Sequence, residues 1–189
     1  MTSAEQILDI INKEPSEVSA ETTAAFGGEL LNSEQYEKAI EYLKFALEIT
    51  KNKTGNESIT VARLYENLAV AYLKIENYGL SATASRKSIR TKRELLLPTN
   101  PALAEGLEQL GSIYTLQQRF DEAIPPLEEA LELITKIYEE AHPLVASIMM
   151  NLARAYAPSG HFDKAKILFS KGIEITKELY GENQPETIH

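Results

Sequence analysis

Apolar and polar positions along this chain follow two periods, one nested inside the other. The short period is helical. Phe120, Ala123, Ile124, Leu127, Ala130, Leu131, Ile134 and Tyr138 fall on a 3.6-residue stripe, with Asp121, Glu122, Glu128, Glu129 and Glu132 opposite, the pattern of an amphipathic helix. Leu103, Leu107, Leu110 and Tyr114 mark a partner helix just before it. The long period is 42 residues, set by Tyr36, Tyr78, Phe120 and Phe162. Small residues hold the same register at Ala39, Ser81, Ala123 and Ala165, and again at Ala46, Ser88, Ala130 and Gly172. Leu47, Ile89, Leu131 and Ile173 follow directly. Upstream, Phe26, Leu68, Leu110 and Leu152 keep the period, as do Gly27, Ala69, Gly111 and Ala153, and then Leu30, Tyr72, Tyr114 and Tyr156. Self-similarity at one fixed spacing is the mark of a stacked array in which each unit covers its neighbour's apolar face.

Each unit therefore predicts two helices. Pro101, Pro143 and Pro185 recur at the period, where a fixed φ and a missing N–H suit the first turn of a helix. A close approach of Gly111 to Ala123 is expected to let paired helices touch. The second copy departs from the pattern, with Ser81, Thr83, Ser85 and Ser88 in place of Ala and large apolar residues, and looser packing is expected there. Pro158 is expected to shorten the first helix of the fourth copy, and Pro126 to remove a hydrogen bond and bend the helix that holds it. Ala4, Ile7, Leu8 and Ile11 form a short stripe of their own, expected to cap the first repeat.

Composition narrows the classes of function. The chain has 189 residues, 43% of them hydrophobic, and no Cys, which removes disulfides, a thiol nucleophile and Cys-ligated zinc. Twenty-eight acidic against nineteen basic residues leave a net charge of −9, the wrong sign for a nucleic-acid surface. The start of the chain is acidic where a signal peptide is basic, and no apolar run approaches the length of a membrane span; a cytoplasmic protein is the expectation.

The motifs Leu-Gly/Ala-x-x-Tyr, Tyr/Phe-x-x-Ala and Ala-Leu resemble the tetratricopeptide repeat (TPR), with Tyr65 where that family often has Trp. The common unit is ~34 residues; the longer unit here is similar to the repeats of kinesin light chains. Phrases of that kind are Ala141-His142-Pro143-Leu144-Val145-Ala146, Asn151-Leu152-Ala153-Arg154-Ala155-Tyr156 and Phe120-Asp121-Glu122-Ala123-Ile124-Pro125. The resemblance implies an all-α, right-handed α-solenoid of four helix-turn-helix TPR units with an N-terminal capping helix. The expected organisation is a cap over 1–16, repeats over 17–58, 59–100, 101–142 and 143–184, and the start of a further helix over 185–189. The last apolar face is then expected either to meet more of an array or to be covered by a partner.

Catalysis has little support. His142, His161 and His189 stand in loops or at the terminus without a partner at ligand spacing, and are read as structural. Glu128-Glu129 and Glu139-Glu140 are sequence neighbours, which do not face one another on a helix. Gly27-Gly28 lies within a helical stretch and makes no phosphate loop. No enzyme activity, cofactor, metal, nucleic acid or membrane is expected.

The resemblance implies instead a concave groove lined by the first helix of each pair. Carried over residue by residue, the family's contact positions fall in the second copy on Arg63, Glu66, Asn67, Val70 and Lys74. In the third they fall on Glu105, Glu108, Gln109, Ser112 and Thr115, and in the fourth on Ser147, Met150, Asn151 and Arg154. The first offers only Glu21, Ala24, Ala25 and Gly28. Asn67, Gln109 and Asn151 share the register, and two readings of them stand: a ladder that grips the backbone of an extended peptide, or amides that bond between helices. The family's clamp for an acidic C-terminus needs Lys and Asn at positions held here by Glu66 and Gly28. Arg63, Lys74 and Arg154 favour acidic side chains and Glu105 and Glu108 oppose them, so a segment of mixed charge fits. The function expected is a non-catalytic adaptor for a peptide or partner helix; the alternatives are a self-assembling structural subunit, with a homo-oligomer through the C-terminal end, and a secretion-type chaperone for an unstructured client. Arg86, Lys87, Arg90, Lys92 and Arg93 form a basic island, readable as a dock for phosphate or an acidic partner or as a solvated outer face.

Overall fold

The computed structural model describes residues 19–181 apart from 56, 98, 139 and 140. The proposed cap over 1–16, Pro185 and His189 lie outside them. Eight helices run through the described residues: α1 (Ala20–Asn32), α2 (Tyr36–Thr54), α3 (Ile59–Lys74), α4 (Tyr78–Leu95), α5 (Pro101–Leu116), α6 (Phe120–Thr135), α7 (Pro143–Tyr156) and α8 (Phe162–Tyr180). The chain divides into two compact units, Met1–Leu95 and Leu96–His189. In the first, α1 packs on α2, α2 on α3 and α3 on α4, and α1 also touches α3. In the second, α5 to α8 repeat the same scheme, with α5 touching α7.

Local chemistry sets these elements. Each first helix starts on a side-chain cap: Ser19 Oγ accepts from the Thr22 N–H at 3.0 Å, and Ser58 Oγ from Val61 at 3.2 Å. Asn100 Oδ1 accepts from Ala102 at 3.0 Å and His142 Nδ1 from Leu144 at 3.2 Å. Pro101 and Pro143 follow their caps directly, as their spacing predicts. His142 thus has the structural role read for it, and its ring stacks on Tyr138 at 3.8 Å. α7 has 14 residues where α3 and α5 have 16, in keeping with Pro158 just beyond it. α6 runs on through Pro125 and Pro126; their missing N–H groups leave the Asp121 and Glu122 carbonyls without i+4 donors.

The turn inside each pair has one geometry. Glu34, Glu76 and Gln118 have φ of 59°, 58° and 59°, and Gly160 has 83°, the left-handed residue that closes a helix. The next N–H then reaches back to the helix: Gln35 to Leu30 O at 2.9 Å, Asn77 to Tyr72 at 2.8 Å, Arg119 to Tyr114 at 2.9 Å and His161 to Tyr156 at 3.0 Å. Three of those acceptors are the register tyrosines, all buried. Each carries a cation over its ring: Lys44 over Tyr72, Arg119 over Tyr114 and Lys164 over Tyr156, at 5.7, 4.8 and 4.9 Å.

Two expectations about packing are corrected. The residue pressed against Gly111 is Leu127, not Ala123: a Cβ built on Gly111 would stand 2.3 Å from Leu127 Cγ. Gly27 meets Leu43 in the same way, at 2.8 Å. Where Ala69 replaces the glycine, the register puts Ser85 where the leucines stand, so volume lost on one helix is returned on the other. For that reason the serine-rich α4 does not loosen. Ser81, Ser85 and Ser88 are all at most 1% exposed, and Ser81 Oγ donates to the Ala69 carbonyl of α3 at 2.7 Å. The substitution costs polarity rather than space: the Ser85 and Ser88 hydroxyls are buried with no hydrogen-bond partner among the described residues.

Candidate peptide-binding surface

Arg63, Glu66, Asn67, Val70 and Lys74 stand on α3 at spacings of three and four residues, which puts them on one helix face. Arg63 and Lys74 are exposed, while Glu66, Asn67 and Val70 are half-buried. Glu66 does not present a bare charge. Its carboxylate is paired with the ammonium of Lys92 on α4, and Lys92 is only 3% exposed. Lys92 therefore does not belong to a solvated basic face. The register held the signal that would have found it: Thr50 and Ile134, one period to either side, are core positions.

In the second unit the expected residues fall on adjacent first helices. Glu105, Glu108, Gln109 and Ser112 lie on α5, and Met150, Asn151 and Arg154 on α7. Glu108 joins the two helices: its Oε1 accepts from the Ser147 hydroxyl and from Asn151 Nδ2, the latter at 3.0 Å. Arg154 Nη1 in turn donates to Asn151 Oδ1 at 3.4 Å. Burial pushes the Glu108 carboxyl above the ordinary carboxylate range, against the pull of the Ser147 and Asn151 hydrogen bonds, and the nearby charge of Glu105 adds to the rise. Asn151 thus makes the bond between helices that was one reading of the amide series. Met150 turns its stem toward α8, where a Cβ on Gly172 would stand 2.9 Å from Met150 Cγ. The Thr115 hydroxyl bonds back to Gly111 O at 3.0 Å. Gln109 and Ser112 remain half-buried, and Glu105 is exposed.

The contrast between units is chemical. Glu108 stands one period after Glu66, but Ile134 stands one period after Lys92. One carboxylate has a buried ammonium for a partner; the other is held by a neutral hydroxyl and an amide. Among the described residues no group of three or more His, Asp or Glu could hold a metal ion. No described helix is long and apolar enough to cross a membrane.

Comparison with known proteins accounts for this architecture. Residues 102–188 match the tetratricopeptide repeat family model. Protein KINESIN LIGHT CHAIN-RELATED 3 of Arabidopsis thaliana is 26% identical over 153 residues, 81% of this chain and 23% of that protein. KINESIN LIGHT CHAIN-RELATED 1 of the same plant is 33% identical over 84 residues, 44% of this chain and 14% of its own length. The secreted RxLR effector RXLR-C07 of Plasmopara halstedii is 35% identical over 86 residues, and the match takes in 26% of it. The chain thus spans only a small part of these relatives. Among solved structures, BtubC (BKLC) from P. vanneervenii superposes with a TM-score of 0.80 at 19% identity, over 97% of this chain and 74% of that one. MamA gives 0.72 at 19% identity, over 95% and 90%. These likenesses show the fold, an α-solenoid of helix-turn-helix units. The chain is a tetratricopeptide-repeat protein, and its repeats are of the kinesin-light-chain type. That family is one of non-catalytic scaffolds for protein–protein interaction.

Proposed function

We propose that this scaffold is an adaptor that holds an extended peptide or a partner helix against the faces of its first helices. The observation that carries the reading is the seam between α5 and α7, where Glu108, Ser147 and Asn151 hold one another. Side chains already fixed by mutual hydrogen bonds lose little entropy on meeting a ligand. Asn151 keeps a second N–H for a peptide carbonyl, and Asn67 at the same register of α3 offers the same donor and acceptor set. Within the second unit, Arg154 on α7 together with Glu105 and Glu108 on α5 suits a segment of mixed charge. The test is isothermal titration of peptides selected from a random-sequence array, against the wild-type chain and Asn67→Ala plus Asn151→Ala. A loss of about tenfold or more supports the groove; unchanged affinity removes it.

A second reading, self-assembly, has one observation of its own. Phe162, Phe169, Ile173 and Tyr180 form a single stripe on α8, with Phe162 69% and Tyr180 53% exposed. The register-equivalent Phe120 and Leu131 of α6 are only half-exposed, because α7 packs on that helix. Light scattering across a concentration series tests it: a mass that grows with concentration, and that Phe162→Glu plus Ile173→Glu abolishes, supports assembly through α8. A constant monomer mass ends this reading.

A further inference from the structure

Three helices of the first unit bring two cations to one tyrosine. Lys51 in the last turn of α2 donates through Nζ to the Tyr65 hydroxyl of α3 at 2.7 Å, and lies 5.1 Å from the ring centroid. Lys87 of α4 stands 5.3 Å from the same centroid. Tyr65 is buried, Lys51 half-buried and Lys87 exposed. Neither ammonium lies within ion-pair distance of a carboxylate among the described residues. Arg90, one turn from Lys87 on α4, is exposed beside them. The trio breaks the repeat: one period on, Tyr65 becomes Leu107 and Lys87 becomes Glu129; two periods on they become Met149 and Lys171, with Thr135 in the place of Lys51.

From this we infer that Lys51, Lys87 and the Tyr65 hydroxyl form a docking point for the carboxylates of an acidic segment on a partner protein. Lys51 is held at the hydroxyl edge of the ring and Lys87 stands 5.3 Å from its centroid, so what Tyr65 offers the two ammonium groups is neutral and leaves both charges uncompensated. An incoming carboxylate completes the arrangement. It accepts from both ammonium groups, and the Tyr65 hydroxyl, which accepts from Lys51, still has its own proton to donate. The rest of the chain makes the point selective. In a molecule of net charge −9 a local positive site focuses anionic partners that the remaining surface repels. Tyr65 stands about 200° around α3 from Arg63, away from the face proposed for the groove, so the inference does not rest on that reading.

The experiment is fluorescence anisotropy of a labelled oligoglutamate peptide against the full chain at low ionic strength. Wild type is expected to bind, Lys51→Met plus Lys87→Met to weaken binding about tenfold, and Tyr65→Phe to cause a smaller loss. Lys51→Arg plus Lys87→Arg, which keeps both charges, should retain binding and shows that any loss is not misfolding. Lys166→Met plus Lys171→Met removes the same charge from α8 and should change nothing. Equal loss in the two Met pairs would mean that net charge alone attracts the peptide, and overturns the site. So would a wild type that ignores oligoglutamate, or one that prefers phosphatidylserine vesicles to it.

Discussion

Gly111 lies directly beneath Leu127, so close that a single methyl group on it would stand 2.3 Å from Leu127 Cγ. Leu127 is itself fully buried. In an open helix a Gly→Ala change adds about 0.5–1 kcal/mol of stability. Here the clash overrides that gain, because the leucine has no space into which to move. Gly111→Ala is expected to destabilise by about 1–3 kcal/mol. Gly28, with nothing within 4 Å of its would-be Cβ, should show the opposite sign on conversion to Ala. Urea denaturation of the two variants checks both; a stabilised Gly111→Ala would refute the close packing.

The Glu66–Lys92 pair yields an asymmetric prediction. Removing the carboxylate leaves a nearly buried ammonium, whereas removing the ammonium leaves a carboxylate that still reaches water. Glu66→Ala is therefore expected to cost about 1–3 kcal/mol, and Lys92→Met, a good shape match for a core position, distinctly less. Thermal melts of the two variants should rank in that order.

The left-handed turn residues predict an easy stabilisation. Glu34, Glu76 and Gln118 adopt φ near 59°, where a Cβ costs about 1 kcal/mol that glycine avoids. The fourth turn already has glycine, at Gly160. Gln118→Gly should raise stability by about 0.5–1 kcal/mol, and differential scanning calorimetry would show the higher melting temperature. An unchanged or lower value would mean that the Gln118 side chain contributes more than its backbone strain costs.

Glu108 makes stability depend on pH in a defined direction. Burial holds its folded pKa above the ordinary 4.5, so between the unfolded and folded values the native state holds more protons than the unfolded one. Its contribution thus worsens as pH rises through that window, and the full cost is felt above the folded pKa. Glu108→Gln keeps an oxygen for Ser147 and Asn151 while discarding the charge. It should be more stable than wild type at neutral pH, with the advantage gone below the unfolded pKa. Urea titrations at the two pH values decide it; a pH-independent difference contradicts the burial effect.

Much of this was open to reading along the chain, and the reasons are local. A residue every 3.6 positions defines a helix face, and a proline in the first turn marks its start, so the helix pairs and the starts at Pro101 and Pro143 follow from neighbours a few residues apart. The period also placed the three register tyrosines in the core. The left-handed residues were missed because Glu34, Glu76 and Gln118 do not bear the usual glycine signature; only Gly160 does, and the shared register would have extended it to the others.

What the sequence determined by itself was the repeat: its length, its helices and the family to which it belongs. What only the tertiary structure decided was which side chains meet across helices. Leu127 rather than Ala123 fills the space over Gly111, Lys92 neutralises Glu66 while Glu108 relies on a hydroxyl and an amide, and Lys51 and Lys87 both reach Tyr65. Periodicity is a property of consecutive backbone, and a single helix expresses it. Pairings of this kind depend on the angle and depth at which separate helices pack, where one methyl group or one extra methylene selects the partner.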